Sequence, residues 1–232
     1  AQHTPRGGLP QRGMHRFVVL AIDRKTGKLL WERTAREQEP HEASHFENGT
    51  WASGSPITDG QRLFAYFESF GLYAYDLNGK LLWEKDLGDK RMRNEFGEGS
   101  SPVLHGDTLV VVWDHLNGQS FVAAIDARDG KELWRVARKE IDTWATPIVL
   151  EANGRPQVVV PAMERVRAYD LANGNVVWES DGLTMNTIPS PVFEDGLLFL
   201  MSGFRGNDRR AIRVAYAKVN IYGTPAIVWT MN

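Results

Sequence analysis

Five stretches of the chain repeat one pattern of apolar and polar positions. In the clearest, Leu72-Tyr73-Ala74-Tyr75-Asp76 is followed by Asn78-Gly79-Lys80 and then Leu81-Leu82-Trp83. The others are Val19–Asp23 leading through Thr26-Gly27 to Trp31, Val122–Asp126 leading through Asp129-Gly130 to Trp134, and Val166–Asp170 leading through Asn173-Gly174 to Trp178. A fifth copy, without the Asp, runs from Ala211-Ile212-Arg213 to Ile227-Val228-Trp229. Alternation with a period of two predicts a half-buried strand. The glycine after Thr, Asn or Asp tolerates the positive φ of a tight turn, so the strand folds back as a hairpin whose second arm ends in Trp.

A second block precedes four of these hairpins. Ser55-Pro56, Ser101-Pro102, Thr146-Pro147 and Ser190-Pro191 each open a short strand, and each is followed by an apolar run such as Leu109–Trp113 or Leu197–Met201. The prolines recur every 44 to 46 residues and the tryptophans every 44 to 52. A period of this length marks a propeller, solenoid or array. Four short strands per repeat predict a β-propeller blade. The expected architecture is therefore all-β: an irregular segment over 1–16, a half-blade over 17–35, and four-stranded antiparallel blades over about 51–87, 99–138, 143–181 and 188–231. Four and a half blades leave an unpaired edge, which proteins normally avoid. The single domain expected over 17–232 thus reads as a partial propeller, part of a ring of seven or eight blades. The five tryptophans, Trp31, Trp83, Trp134, Trp178 and Trp229, are expected to be structural, each ring packed on the adjoining blade with its N–H on a backbone carbonyl. Asp23, Asp76, Asp126 and Asp170 are expected to accept N–H bonds within the turns.

The pattern Ala-x-Asp-x-x-Thr-Gly-Lys-x-x-Trp resembles the repeat of PQQ-type, quinoprotein-like β-propellers. That superfamily holds quinoprotein alcohol dehydrogenases as well as non-enzymatic, BamB-like proteins of outer-membrane assembly. The runs Gly97-Glu98-Gly99-Ser100-Ser101-Pro102 and Trp144-Ala145-Thr146-Pro147 are similar to those of uncharacterised bacterial exported members. The resemblance implies a periplasmic or extracellular location, with other proteins as partners, as a subunit of a larger periplasmic or membrane-associated assembly. It is specific for fold and much less so for activity.

Composition narrows the classes further. A net charge of −2 with scattered basic residues gives no electrostatic case for nucleic acid. No apolar run of 18 residues is present, so no transmembrane segment is expected. The chain has no cysteine, which excludes disulfides and thiol catalysis.

Divergent loops on a repeated scaffold are where binding is expected. Here they are Ala35–Thr50, Gly88–Glu98, Lys139–Thr143 and Ser180–Thr187, and their residues Arg91, Arg93, Asn94, Glu95, Glu98, Asp142 and Asn186, with the adjoining Trp144, form the expected interaction face. The first loop contains His41-Glu42-Ala43-Ser44-His45, a formal zinc-protease match. That chemistry requires a helix to bring both imidazoles to one face, and Pro40 with Asn48-Gly49 leaves room for about two turns. A loop metal site would use His41, His45 and Glu47 or another loop's carboxylate. A quinoprotein dehydrogenase, with pyrroloquinoline quinone and calcium, is the enzymatic alternative. Oxygen ligands for calcium exist at Asn94, Glu95, Glu98, Asp142 and Asn186, with Trp144 as a pocket floor, but they assemble into no motif of that family, and no catalytic, metal or cofactor residue is assigned. The expected function is non-catalytic: an exported scaffold for protein–protein interaction.

Overall fold

The computed structural model describes residues 13–45, 47, 49–202 and 206–231. Of the irregular segment expected over 1–16, residues 1–12 lie outside the described residues, while His15 and Arg16 already belong to the first strand.

Among the described residues five sheets follow one another along the chain, antiparallel except for one strand added to the fourth. The first pairs β1 (His15–Ile22) with β2 (Leu29–Gln38). The second is β3 (Ile57–Thr58), β4 (Arg62–Tyr66), β5 (Leu72–Asp76) and β6 (Leu81–Lys85), in that spatial order. The third is β7 (Val103–His105), β8 (Thr108–Trp113), β9 (Ser120–Asp126) and β10 (Glu132–Arg138), again in chain order. The fourth is β11 (Ile148–Ala152), β12 (Arg155–Val160), β13 (Arg165–Asp170) and β14 (Val176–Asp181), extended by β18 (Val219–Asn220) from the last repeat. The fifth is β15 (Val192–Glu194), β16 (Leu197–Met201), β17 (Arg209–Arg213) and β19 (Ile227–Met231).

Sheets are stacked in sequence order, because the alternation in each inner strand supplies two apolar faces. In β9 every residue is buried. Phe121, Ala123 and Ile125 pack toward the second sheet with Phe64, Tyr66 and Leu72. Val122 and Ala124 turn the other way, to Val158, Val160 and Tyr169 of the fourth. Similar cores join the first sheet to the second around Phe17 and Tyr73, and the fourth to the fifth around Trp178 and Leu198. Strands buried on both faces read as near-continuous apolar runs, which is why Leu109–Trp113 shows no alternation in sequence.

The hairpins share one construction. The amides of Gly27, Gly79, Gly130 and Gly174 donate to the carbonyls of Asp23, Asp76, Asp126 and Asp170, with glycine φ between +70° and +78°. The Asp carboxylates accept the N–H two residues on, at 2.8–3.1 Å, in all four turns. The lack of a side chain at the glycine has a second use. The indole of Trp31 lies against Gly79, that of Trp83 against Gly130 and that of Trp134 against Gly174, so close that a Cβ there would sit 2.7–2.8 Å from the ring. Each of these indoles donates to a carbonyl of the next turn: Trp31 to Leu77 at 3.0 Å, Trp83 to Ala127 at 3.0 Å and Trp134 to Leu171 at 2.9 Å.

The last two tryptophans differ from the expected pattern. The fifth repeat lacks the Asp-Gly turn; its chain instead runs through a 3₁₀ turn at Val214–Tyr216, and β18 then pairs in parallel with β14. Ala217, Ile221 and Ala226 from this excursion share a core with Trp178, which is fully buried and donates to the Gln157 side chain at 3.1 Å instead of to a neighbour's carbonyl. Trp229 stacks obliquely on Phe199 of its own sheet and stays 42% exposed.

A second tie runs along the Ser/Thr-Pro positions. The Ser55 amide donates to Ser101 Oγ at 2.9 Å, the Ser101 amide to Thr146 Oγ1 at 3.1 Å, and the Thr146 amide to Ser190 Oγ at 3.1 Å. Each hydroxyl thus accepts the backbone N–H of the preceding repeat.

Candidate functional site

The loops after β2 and β6 and the turn after β4 bring unusually many charged groups out of water. The β4–β5 connection is a 3₁₀ turn, Glu68–Phe70, with Glu68 at φ +52°. Its aromatic neighbours pack into the first inter-sheet core, so the carboxylate is carried inward with them. There it forms an ion pair with Lys90, whose side chain is also fully buried and lies 5.1 Å from the centre of the Trp113 ring. Glu98 accepts the Ser69 amide at 2.9 Å, and its carboxylate lies 4.0 Å from the Lys90 ammonium. Glu42 accepts the Met92 amide at 3.2 Å. His41 donates from Nε2 to the Lys90 carbonyl at 2.7 Å.

Burial governs the titration of this group. It pushes Glu42 up to about 8, against the pull of the Met92 amide and with added repulsion from Glu98 and Glu95. It pushes Glu68 up to about 7, opposed by the Lys90 charge and reinforced by that of Glu98. Glu98 is raised for the same reason, and Lys90 and the Ser69 hydrogen bonds oppose the shift. Burial works against the Lys90 charge, but Glu68 and Glu98 outweigh it and hold the ammonium protonated.

Of the residues expected on the interaction face, Glu98, Trp144 and Asn186 meet at one open cavity of about 580 Å³, together with His45 and the hydroxyls of Ser55, Ser101, Thr146 and Ser190. The Trp144 indole packs on Gly99 and donates to the Gly97 carbonyl at 2.8 Å. Asn186 is buried in the left-handed region, at φ +61°, and its Oδ1 has no partner. Arg93 is committed to the buried Asp142 at 2.6 Å. Glu95 approaches the Ala43 amide at 3.5 Å, while Asn94 and Arg91 are exposed. The structure does not unite His41, His45 and Glu47. Residues 41–45 are not helical, so the His-Glu-x-x-His spacing does not place two imidazoles on one helical face. His45 packs on Phe96, and its Nδ1 accepts the Glu47 amide at 3.3 Å. The donor cluster actually assembled among the described residues is His41, Glu42 and Glu98.

Glu68 and Lys90 do not stand out as a site in the sequence, and Glu42 enters only through the His-Glu-x-x-His match. The available signal was Glu68 itself, a lone carboxylate inside Ala65-Tyr66-Phe67-Glu68-Ser69-Phe70. A charge so placed is solvated only if the turn is exposed; otherwise it needs a buried partner.

Consecutive four-stranded antiparallel sheets, with an indole of one lodged on a turn glycine of the next, define the class of PQQ-type repeat proteins. The family model described as outer membrane protein assembly factor BamB matches residues 68–218, and the chain belongs to that family. A BamB from Alkalilimnicola ehrlichii is 29% identical over 152 residues, covering 64% of this chain and 37% of the relative. The crystal structure of BamB from Moraxella catarrhalis matches with a TM-score of 0.61 at 14% identity, over 93% of this chain and 58% of that one. A europium-containing methanol dehydrogenase matches with a TM-score of 0.63 at 11% identity, over 95% of this chain and 48% of that one. These structural likenesses concern the fold, and the chain spans less than two thirds of the length of each relative. No helix among the described residues is long and apolar enough to cross a membrane.

Proposed function

We propose that the chain is a non-catalytic, exported interaction module: four and a half blades of a propeller, held by tryptophan docking, that offer their divergent loop face to other proteins. The observation that carries this reading is membership of the BamB family, with Glu98, Trp144 and Asn186 of successive loops brought to one open cavity. Among the described residues β1 pairs only with β2, whereas β5, β9, β13 and β17 each have an inner neighbour as well. Leu20 and Ile22 of β1 are 51% and 57% exposed, although Tyr73 and Tyr75, or Ala123 and Ile125, are buried at the equivalent positions. That strand and its exposed apolar face are suited to pairing with further strands, whether of the same propeller or of a partner. Membership of the BamB family supports a periplasmic setting and a place in a larger, membrane-associated protein assembly.

The cofactor alternative meets a chemical obstacle. Pyrroloquinoline quinone is a tricarboxylate, and the 580 Å³ cavity beside Trp144 is lined by no lysine or arginine among the described residues, so that a calcium ion held by Glu98 would have to supply the positive charge. Two measurements test the reading. A photo-crosslinker at Asn94, exposed on the loop face, should join the chain to another polypeptide, while one at Lys25, on the exposed β1–β2 turn, should not. Micromolar quinone binding with dye-linked alcohol or sugar oxidation in the presence of calcium would overturn it.

A further inference from the structure

Each of the three buried carboxylates uses one oxygen and leaves the other idle. Glu42 Oε2 takes the Met92 amide, Glu68 Oε2 the Lys90 ammonium and Glu98 Oε2 the Ser69 amide. The opposite oxygens, Oε1 in all three, are inaccessible to solvent and have no hydrogen-bond partner, and so is the Tyr66 hydroxyl. Glu42 and Glu68 are each 2% exposed. Glu42, Glu68, Glu98 and Tyr66 all line one void of about 10 Å³ beneath Trp51. A space of that size holds one water or one monatomic ion and no organic ligand. One ring nitrogen of His41 and one oxygen each of Glu42 and Glu98 lie within 4.8 Å of one another. That separation is spanned by a single ion with bonds of about 2.1–2.5 Å.

The geometry points to a buried divalent-cation site at this void, ligated by the free oxygens of Glu42 and Glu98 with Glu68 and His41 beside them. Charge balance agrees. Three carboxylates face one ammonium, Lys90, so a doubly charged ion neutralises the cluster when all three are ionised. A donor set dominated by carboxylate oxygen selects a hard ion of the calcium or manganese kind over a thiophilic one. The ion would tie together three segments distant in sequence: the loop after β2, the β4–β5 turn and the loop before β7. The site is independent of the protein-interaction reading and needs no quinone.

The test uses the full chain stripped with chelator. On adding calcium or manganese, equilibrium dialysis should find one ion per chain. The melting temperature should rise by roughly 5–10 °C at a hundredfold excess over the Kd. Terbium(III), a hard stand-in, should emit when the tryptophans are excited, since Trp51 lines the void. Glu42→Gln and Glu98→Gln should each weaken binding by about tenfold or more and abolish the emission, while Glu47→Gln, on the exposed part of the same loop, should leave both unchanged. Glutamine keeps the volume, and the fold of each variant is checked by its far-ultraviolet spectrum without metal. The inference is overturned if calcium, manganese, magnesium and zinc all fail to bind stoichiometrically. It is equally overturned if binding persists undiminished in both glutamine variants, which would place the ion elsewhere.

Discussion

Replacing Gly130 by Ala probes the contact on which the sheet stacking rests. The residue has φ +76°, and the new methyl would lie 2.8 Å from one ring carbon of Trp83 and 3.0 Å from another. Two costs follow. The left-handed backbone costs an L-residue about 1–2 kcal/mol, and forcing a methyl into a closed contact adds about 1–3 kcal/mol. Gly154 separates them: it has φ +77°, but a methyl there would meet nothing within 4 Å, so Gly154→Ala carries the backbone cost alone. Gly130→Ala should therefore be the more destabilised of the two by about 1–3 kcal/mol. For a chain of this size that is a further fall in melting temperature of about 2–10 °C, read by calorimetry or by denaturant titration on both variants. In a Trp83→Ala background the extra cost should vanish, leaving only the backbone term. Equal shifts for Gly130→Ala and Gly154→Ala in the parent chain would refute the claim that the indole is lodged on the turn.

Two further outcomes follow from the charged groups. Arg138 donates to Asp114 from Nε at 2.9 Å and from a terminal nitrogen at 3.2 Å, with both side chains fully buried, and also to the Tyr169 hydroxyl of the next sheet at 2.9 Å. Asp114→Asn should cost about 3–5 kcal/mol, because it strands a buried guanidinium; a loss under about 1 kcal/mol in urea unfolding would show that the pair is dispensable. Asp126 is held down to about 2 by the Arg128 side-chain and backbone hydrogen bonds. A depressed carboxylate stabilises the fold above its unfolded value near 3.8 and loses that contribution as the pH falls through about 2. Acid unfolding of Asp126→Asn should accordingly be flatter between pH 4 and 2 than that of the parent chain, and an identical profile would contradict the assignment.

Sheet order and strand placement were legible in the sequence because the same local instructions recur: alternation, an Asp-Gly turn, then Trp. Each instruction acts within about a dozen residues, and a period-two pattern with a turn glycine admits few other conformations. The site was far less legible. Glu98, Trp144 and Asn186 were expected on one face and do share a cavity, because all three sit just outside Ser/Thr-Pro strands of successive sheets. The loop-metal option pairs His41 with His45 and with Glu47 or another loop's carboxylate; His41 meets the carboxylate of Glu98, more than fifty residues on, without His45. Contacts of that range are set by how sheets stack, not by spacing along one loop. The fate of Trp178 shows the same limit. Its cover comes from Ala217, Ile221 and Ala226, and nothing local to Trp178 signals that the following repeat has exchanged its tight turn for an excursion.

That excursion also bears on how the chain comes apart. With Val219 and Asn220 laid along Trp178 and Glu179, the fifth sheet carries a clasp onto its predecessor. The fifth sheet therefore cannot be released alone: its loss must also lift the clasp and expose the indole beneath it, so the fourth and fifth sheets should melt together, as one cooperative step.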